Sequence, residues 1–390
     1  MAQPSTAYRS DCRFFIGEKP CIYRRTCANC ENFEPFGTRV LILKFGAKGD
    51  VLRTTALLPA IKRKYPKSAI TWVTEEGCIA LLEGNPFVDR IMAFDPSTLA
   101  VLGCERFDVV YSMDKAPAAV ALGRTVRAEE RIGFALTDWG TLDIYSPQSD
   151  CALLLGIDDN LKFRGNKKTY QEYMAQALGL DYRRDEMTLA LSQEETDYAR
   201  NHLRRLGVIG ERRRPIIGLN TGVGTLFATK EWPSERFVEL AARCAGELDA
   251  VVTLLGGPQE TKRNAEIKER GGSLLIADAG TNHTLKEFAA IVSFCDVLVT
   301  SDTFAMHVGV ALKRKIVALF GSTCAQEIDL YDRGVKIFKG LECSPCYRKR
   351  CERQDCMKAI STEEVFAHIS NLLGARGDSY GRTDKREVRS

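Results

Sequence analysis

The sequence predicts an α/β protein built from two doubly wound, Rossmann-like domains with a ligand cleft between them. Apolar runs of strand length, rich in Val and Ile and mostly bounded by Gly, Asp or Ser, recur along the chain with helical patterns between them. Near-continuous apolar strands suit a parallel sheet covered on both faces, joined by right-handed crossovers. About eleven strand candidates are too many for one small sheet, so we predict two sheets.

The predicted elements follow one another as strand and helix along the chain. The clearest strands lie at residues 39–43, 70–74, 108–112, 216–220, 251–255, 297–300 and 315–320. The clearest helical patterns cover residues 57–64, 234–245 and 285–294.

A charged helix and a basic loop near residues 194–215 mark the boundary between the two domains. We predict a Cys-rich segment at 1–37, Rossmann-like domains at 38–192 and 200–372, and a disordered polar tail at 376–390. The second domain includes a Cys-rich loop at 343–356. Ligands are expected at the carboxyl ends of the strands.

Composition excludes several classes of protein. The 390 residues carry 55 Lys and Arg against 51 Asp and Glu, too balanced for nucleic acid to be the main partner. No stretch reads as a signal peptide or a membrane span, so we expect a cytoplasmic protein with reduced thiols. The 14 cysteines are therefore packing residues, metal ligands or nucleophiles.

Eight of the cysteines form two groups of four, and the other six read as buried packing residues. The groups are Cys12, Cys21, Cys27 and Cys30, and Cys343, Cys346, Cys351 and Cys356. Four thiolates at such spacing suit structural Zn or Fe, with an iron–sulfur cluster as a less favoured alternative for the second group. Reduced thiols without metal are the other interpretation. Four protein ligands leave no open position, so the role would be structural or docking.

Three strand ends carry candidate site residues. The first strand leads through Gly46 and Gly49 to Asp50, whose carboxylate serves as a ligand group or only as a helix cap. The segment from Asn220 to Pro233 presents Thr221, Gly222 and Lys230 as an anion-binding nest with a point charge, unless Lys230 is merely a surface lysine.

The third strand end delivers Asp302 and Thr303 to a helix N-terminus, where free N–H groups bind phosphate. His307 lies one turn further on, and a buried packing histidine is the alternative interpretation. A fourth loop carries Glu260, whose carboxylate suits a nucleoside. The sequence contains no Asp-x-Asp metal clamp, G-x-S-x-G elbow, HExxH or Walker A motif.

Taken together, these segments resemble glycosyltransferase family 9, the ADP-heptose:lipopolysaccharide heptosyltransferases of Gram-negative bacteria. The resemblance covers most of residues 38–370 and rests on five motifs in order: GlyAspVal, LysxTrpPro, GlyGlyxxGlu, AspThrxxxHis and the late CysxxCys. It implies the GT-B fold, with an acceptor domain first and a nucleotide-sugar domain second. The extra N-terminal four-Cys segment indicates a separate branch of the family.

The resemblance also implies the reaction: a heptose passes from ADP-heptose to an acceptor hydroxyl with inversion and without an essential metal. It makes Asp50 the general base and gives Lys230 the stabilisation of the departing diphosphate. The residues implied to bind the nucleotide sugar are Gly49, Thr221, Gly222, Glu260, Asp302, Thr303 and His307. On the acceptor side we expect Arg53 and Asp114.

The expected acceptor is a cell-envelope glycolipid or glycan such as lipopolysaccharide core, met at the inner face of the cytoplasmic membrane without insertion. Alternatives are a GT-B transferase that uses another nucleotide sugar or a protein acceptor, and a non-catalytic metal-binding module on the same scaffold. Phe304 departs from the family pattern, which often has Gly or Ser after the AspThr pair. The sequence does not fix the oligomeric state.

Overall fold

The computed structural model describes residues 7–224, 226–272 and 276–374. The described residues divide into two compact units, of which the first comprises those within 1–47, 54–157 and 171–185. The second comprises the described residues within 48–53, 158–170 and 186–390, so two short segments from the first half of the chain group with the second half. The tail at 376–390, predicted to be disordered, lies outside the described residues.

Among the described residues, the first half of the chain contributes six strands and seven α-helices. The strands are β1 (Arg39–Leu43), β2 (Ala69–Thr74), β3 (Arg90–Ala93), β4 (Arg106–Ser112), β5 (Arg127–Leu136) and β6 (Leu142–Ile144). The helices are α1 (Lys48–Thr54), α2 (Leu58–Lys64), α3 (Ile79–Leu82), α4 (Pro96–Cys104), α5 (Pro117–Thr125), α6 (Asp150–Ile157) and α7 (Tyr170–Ala177).

The second half contributes another six strands and seven helices to the described residues. The strands are β7 (Ile216–Asn220), β8 (Val251–Leu255), β9 (Ile276–Asp278), β10 (Val297–Ser301), β11 (Lys315–Phe320) and β12 (Gly334–Phe338). The helices are α8 (Gln193–Arg205), α9 (Ser234–Leu248), α10 (Thr261–Gly271), α11 (Leu285–Val292), α12 (Phe304–Ala311), α13 (Asp355–Lys358) and α14 (Thr362–Gly374).

Each unit contains one six-stranded sheet. The order is β3-β2-β1-β4-β5-β6 in the first and β12-β11-β10-β7-β8-β9 in the second. All neighbours are parallel except β6, which pairs antiparallel with β5. The strand order reverses between β1 and β4 and between β7 and β10, which are the positions where open α/β sheets bind ligands. The predicted α/β class and two-sheet arrangement are confirmed.

Local sequence explains where several helices begin. Ser192 caps α8 and Thr284 caps α11, each in a reciprocal capping box with a glutamate three residues later. Asp95 accepts the Thr98 N–H at the start of α4. The longest helix, α9, has 15 residues, and across the described parts of the chain no helix is both long and apolar enough to cross a bilayer.

The core of the second unit surrounds Trp232, which follows Lys230 and Glu231. Its indole is fully buried, meets the Phe237 ring edge-on with centroids 4.9 Å apart, and donates from Nε1 to the Ile360 carbonyl at 3.0 Å. Val365 and Phe366 of α14 belong to the same cluster, so the last described helix packs on this core. Trp232 therefore anchors the loop that carries Lys230.

We predict that Trp232→Ala lowers the free energy of unfolding by about 3–5 kcal/mol, because it removes a large buried ring and leaves a cavity. Trp139→Ala is the matched control: the Trp139 side chain is 90% exposed, and we expect a change within about 0.5 kcal/mol. Urea unfolding followed by circular dichroism measures both. Equal shifts for the two variants would contradict the anchoring role of Trp232.

Candidate active site

Most predicted site residues lie directly after the four strands at the two switch points. Asp50 follows β1 and Asp114 follows β4, while Thr221 and Gly222 follow β7 and Asp302 follows β10. Parallel strands present their carboxyl ends at one sheet edge, so residues remote in sequence become neighbours within each sheet. Asp50 belongs to the segment 48–53 of the second unit, the unit that also contains β7 and β10.

Asp50 lies in the first turn of α1, and its carboxylate is held by an arginine one turn later. Arg53 Nη2 is 2.9 Å from Asp50 Oδ1, and the guanidinium stacks 3.7 Å above the Tyr170 ring. The Asp50 side chain is 38% exposed, whereas that of Arg53 is 14% exposed. The arginine is thus a rigid support, and the carboxylate remains accessible to a substrate.

Gly49 packs directly against the His307 ring. A Cβ atom at Gly49 would come within 2.6 Å of His307 Cδ2, so a side chain here requires the imidazole to move. His307 is buried, and its Nδ1 has no hydrogen-bond partner among the described residues. Burial first, and then the charge of Arg53, lowers its pKa to about 4 against the attraction of Asp302 and Asp50. The imidazole is therefore neutral at neutral pH.

Lys230 and Asp302 form a largely buried ion pair in the same region. Lys230 Nζ donates to the Asp302 carbonyl at 2.8 Å and contacts Oδ2 at 3.1 Å, and Ser301 Oγ donates to the Lys230 carbonyl at 2.7 Å. Burial opposes ionisation of Asp302, but the neighbouring Lys230 ammonium lowers the pKa of the carboxyl group. The site therefore contains a fixed anion and a fixed cation.

Thr303 precedes α12 and joins a small network of hydroxyl and amide groups. Its Oγ1 lies 3.1 Å from Thr300 Oγ1, and Asn220 Nδ2 donates to Gly222 O at 2.9 Å and to Thr303 Oγ1 at 3.4 Å. These bonds tie the ends of β7 and β10 together. The Phe304 ring stacks on the Phe288 ring with centroids 6.1 Å apart. This contact holds the side chain that the family pattern often replaces by Gly or Ser.

Glu260 borders a cavity at the end of β8. Its Oε2 accepts the Gly257 N–H at 2.8 Å, and a Cβ atom at Gly222 would lie 2.1 Å from its Cδ. The unfilled space, its opening included, amounts to about 830 Å³. The cavity is lined by glycines and by charged side chains that include Glu231, Lys262 and Arg263. Gly222 and Glu260, predicted separately, are thus in contact.

Two predicted residues make their hydrogen bonds inside the fold. Thr221 Oγ1 donates to Asn264 Oδ1 at 2.5 Å and is buried. Asp114 is also buried; its Oδ2 contacts Lys44 Nζ at 3.1 Å and accepts the Phe45 N–H at 2.9 Å. Burial opposes ionisation, but Lys44 and the backbone N–H groups lower the pKa of Asp114. Asp114 therefore fixes the loop after β1.

Sequence reasoning missed a further carboxylate, Glu327, in the second unit. It is buried, and burial raises its pKa against the opposing charges of Lys162 and Arg53. The Lys162 Nζ lies 4.0 Å from the centre of the Tyr347 ring, whose residue follows the CysxxCys motif. No motif marks Glu327, and only the electrostatic coupling to Asp50 and Asp302 relates it to the site.

The cysteine groups do not form a single-ion site in the structure. All fourteen cysteines are free thiols. Within residues 7–224, 226–272 and 276–374, no group of three or more His, Cys, Asp or Glu side chains is placed to hold one metal ion. In the late group Cys356 is close enough to Cys343 and Cys346 for their charges to interact. Zn or Fe at either group stays a prediction.

Curated relatives share the sequence pattern of the chain. It is 26% identical over 167 residues to lipooligosaccharide heptosyltransferase 2 of Campylobacter jejuni, a match covering 41% of this chain and 51% of that protein. It thus spans about half the length of this relative. The chain is 24% identical over 313 residues to lipooligosaccharide heptosyltransferase 2 of Haemophilus influenzae, covering 74% and 84% respectively.

The fold matches a solved structure of the same class. The Escherichia coli ADP-heptose lipopolysaccharide heptosyltransferase II aligns with a TM-score of 0.63 at 18% identity, covering 87% of this chain and 99% of that one. The predicted GT-B fold is thus confirmed. Residues 100–357, well over half of the chain, match glycosyltransferase family 9 (heptosyltransferase). The chain therefore belongs to glycosyltransferase family 9.

Proposed function

We propose that the protein transfers a heptose from ADP-heptose to a hydroxyl of a lipopolysaccharide-core acceptor, with inversion and without a catalytic metal. One observation carries the proposal. An accessible carboxylate, Asp50, lies in the same compact unit as the Lys230–Asp302 pair and neutral His307, and Gly49 beside it packs on the His307 ring. The proposed base and the proposed diphosphate-binding group therefore belong to one compact unit, which supports the proposal.

Asp50 is the proposed general base. It takes the proton from the acceptor hydroxyl as that oxygen attacks the anomeric carbon. Arg53 fixes one carboxylate oxygen at 2.9 Å and is itself held against Tyr170 at 3.7 Å. An oriented carboxylate contributes chiefly through position, because the reacting hydroxyl and the base are already in place.

Negative charge builds up on the departing diphosphate as the bond between the anomeric carbon and the phosphate oxygen breaks, and a positive group stabilises it. Lys230 supplies it, with the N–H groups at the start of α12 beside Thr303. Asp302 holds the ammonium near the end of β10 before the donor binds. Neutral His307 can form a hydrogen bond with the nucleotide sugar through Nδ1, which has no partner among the described residues.

The nucleoside would occupy the cavity beside Glu260, where a carboxylate can accept ribose hydroxyl hydrogen bonds. The curated relatives are heptosyltransferases, and the solved structure is of an ADP-heptose enzyme, which favours ADP-heptose as the donor. A different nucleotide sugar is the second candidate. Thermal unfolding in the presence of ADP, UDP, GDP or CDP distinguishes these two candidate sugar donors. The nucleotide that raises the unfolding temperature identifies the donor.

The proposed acceptor is a glycolipid met at the cytoplasmic face of the inner membrane. Arg53 would position the acceptor hydroxyl by holding the Asp50 carboxylate beside it. Asp114 would act indirectly, because it fixes the loop between β1 and α1. Incubation with ADP-heptose and fractionated cell-envelope glycolipids, followed by mass spectrometry, identifies the acceptor. Incorporation of another sugar from its nucleotide would favour the second candidate.

We predict that Asp50→Asn lowers the transfer rate by about 10²–10⁴, because the amide keeps the volume but cannot accept the proton. ADP affinity, measured by calorimetry, should stay within about threefold. Asp197→Asn is the matched control, because Asp197 also pairs with an arginine three residues later, Arg200 in α8. Full activity of Asp50→Asn would exclude Asp50 as the base.

We predict that Lys230→Ala weakens ADP binding at least about tenfold, since a charge-assisted contact to phosphate contributes about 1.5–3 kcal/mol. Lys339→Ala serves as the control, because Lys339 also pairs with a carboxylate but takes no part in the proposed site. Its Nζ lies 2.6 Å from Glu364 Oε2. Calorimetric titration with ADP measures both variants. Equal affinities would show that Lys230 stabilises the fold rather than the diphosphate.

We predict that His307 makes the protein less stable as the pH falls from about 6.5 towards 4. The folded pKa is about 4 because the ring is buried, so between these values the unfolded chain binds a proton that the folded chain does not. The contribution of His307 to the free energy of unfolding is fully present above about pH 6.5. Acidification towards pH 4 lowers it by up to about 3 kcal/mol.

Urea unfolding between pH 4 and 7 checks this by comparing the wild type with His307→Gln. The variant should show a weaker pH dependence in this window. Parallel curves for the wild type and His307→Gln would mean that His307 titrates alike in the folded and unfolded chains.

A further inference from the structure

The N-terminal cysteine segment has no part in the proposed transfer, yet its four thiols share one place. Cys12, Cys21, Cys27 and Cys30 all line a single cavity in the first unit. They come together across 19 residues of chain although the described segment before β1 contains no helix and only an isolated bridge between Cys12 and Pro35. Four convergent cysteines in a chain with 14 free thiols indicate a ligand.

The spacing of these thiols does not suit one metal ion. A tetrahedral zinc site draws its sulfurs to about 2.3 Å from the ion, which leaves no open space between them. Here the described residues offer no group of three placed to hold a single ion. The four cysteines instead surround unfilled space that amounts, with its opening, to about 320 Å³. This arrangement suits a ligand with several points for sulfur attachment better than it suits a single ion.

We infer that these four cysteines bind a [4Fe–4S] cluster. In such a cluster each thiolate binds a different iron, so the four sulfurs stay farther apart than around one ion. The inference depends on the shared cavity and on the absence of a single-ion arrangement, and it is independent of the proposed transfer. The role is structural binding, with no electron-transfer step assigned.

The rest of the lining suits such a cluster. Phe14, Phe15, Tyr23 and Phe33 line the cavity, and apolar walls limit access of water to the irons and sulfurs. Arg9 and Arg25 also line it, and Arg9 is close enough to Cys12 and Cys27 for their charges to interact. A cluster with four thiolates is anionic, so these guanidinium groups oppose its charge.

The backbone of the segment repeats one turn at each cysteine. The carbonyl of every one of the four accepts the N–H of the residue three positions later: Phe15 for Cys12 at 2.9 Å, Arg24 for Cys21 at 2.8 Å, Cys30 for Cys27 at 3.3 Å and Phe33 for Cys30 at 3.4 Å. A segment held by turns and few strands has little core of its own, and small folds of this kind depend on cross-links or metal groups. The cluster would supply that cross-link.

The test is metal and sulfide analysis of the full-length protein, purified without oxygen from iron-supplemented cells. We expect about four irons and four acid-labile sulfides attributable to this segment, with visible charge-transfer absorption that dithionite bleaches. Zinc in place of iron, or iron without labile sulfide, would overturn the inference. This measurement on the wild type does not depend on whether any variant folds.

Two double variants assign the cluster to its cysteines. Cys27→Ala with Cys30→Ala should lose about four irons and four sulfides relative to the wild type, while Cys346→Ala with Cys351→Ala should keep that complement. Circular dichroism and cooperative thermal unfolding show that the rest of the protein remains folded in each variant. Unchanged sulfide in the first variant, or loss only in the second, would overturn the assignment.

Discussion

The largely buried pair of Lys230 and Asp302 is the interaction on which the candidate site depends. Two opposite charges removed from water are stable only when geometry and hydrogen bonds compensate their lost hydration. Here the Lys230 ammonium contacts both the carboxylate and the carbonyl of Asp302, while Ser301 holds the Lys230 carbonyl. Trp232, two residues on, anchors the same loop in the core. A cation is thus fixed where an anionic donor can replace water.

Close packing against glycine completes the arrangement around that pair. Gly49 lies against His307, and Gly222 lies against Glu260, each too close to allow a Cβ atom without movement. Because the histidine is neutral, it lies beside Gly49 and Asp50 without adding a further buried charge. Protein interiors leave little free volume, so small residues decide which polar groups approach each other.

Much of this could be predicted from the sequence because it is local. Apolar strand runs, their alternation with helices and the order of five motifs determine the two sheets and the family. The contact of Gly222 with Glu260 and the pairing of Lys230 with Asp302 could not be predicted, because each joins loops tens of residues apart. Glu327 lies in no motif, and only its burial and its electrostatic interactions with charged groups of the site in the folded chain relate it to them.

The sequence by itself determined the α/β class, the strand positions, the family and the residue types at the strand ends. Only the tertiary structure decided what each residue does there: Thr221 and Asp114 turn inward to hydrogen bonds, and Asp50 stays accessible. It also decided that four scattered N-terminal cysteines surround one cavity. The reason is physical, since local patterns encode the period and burial of each element, whereas hydrogen-bond partners and shared cavities depend on how distant segments pack.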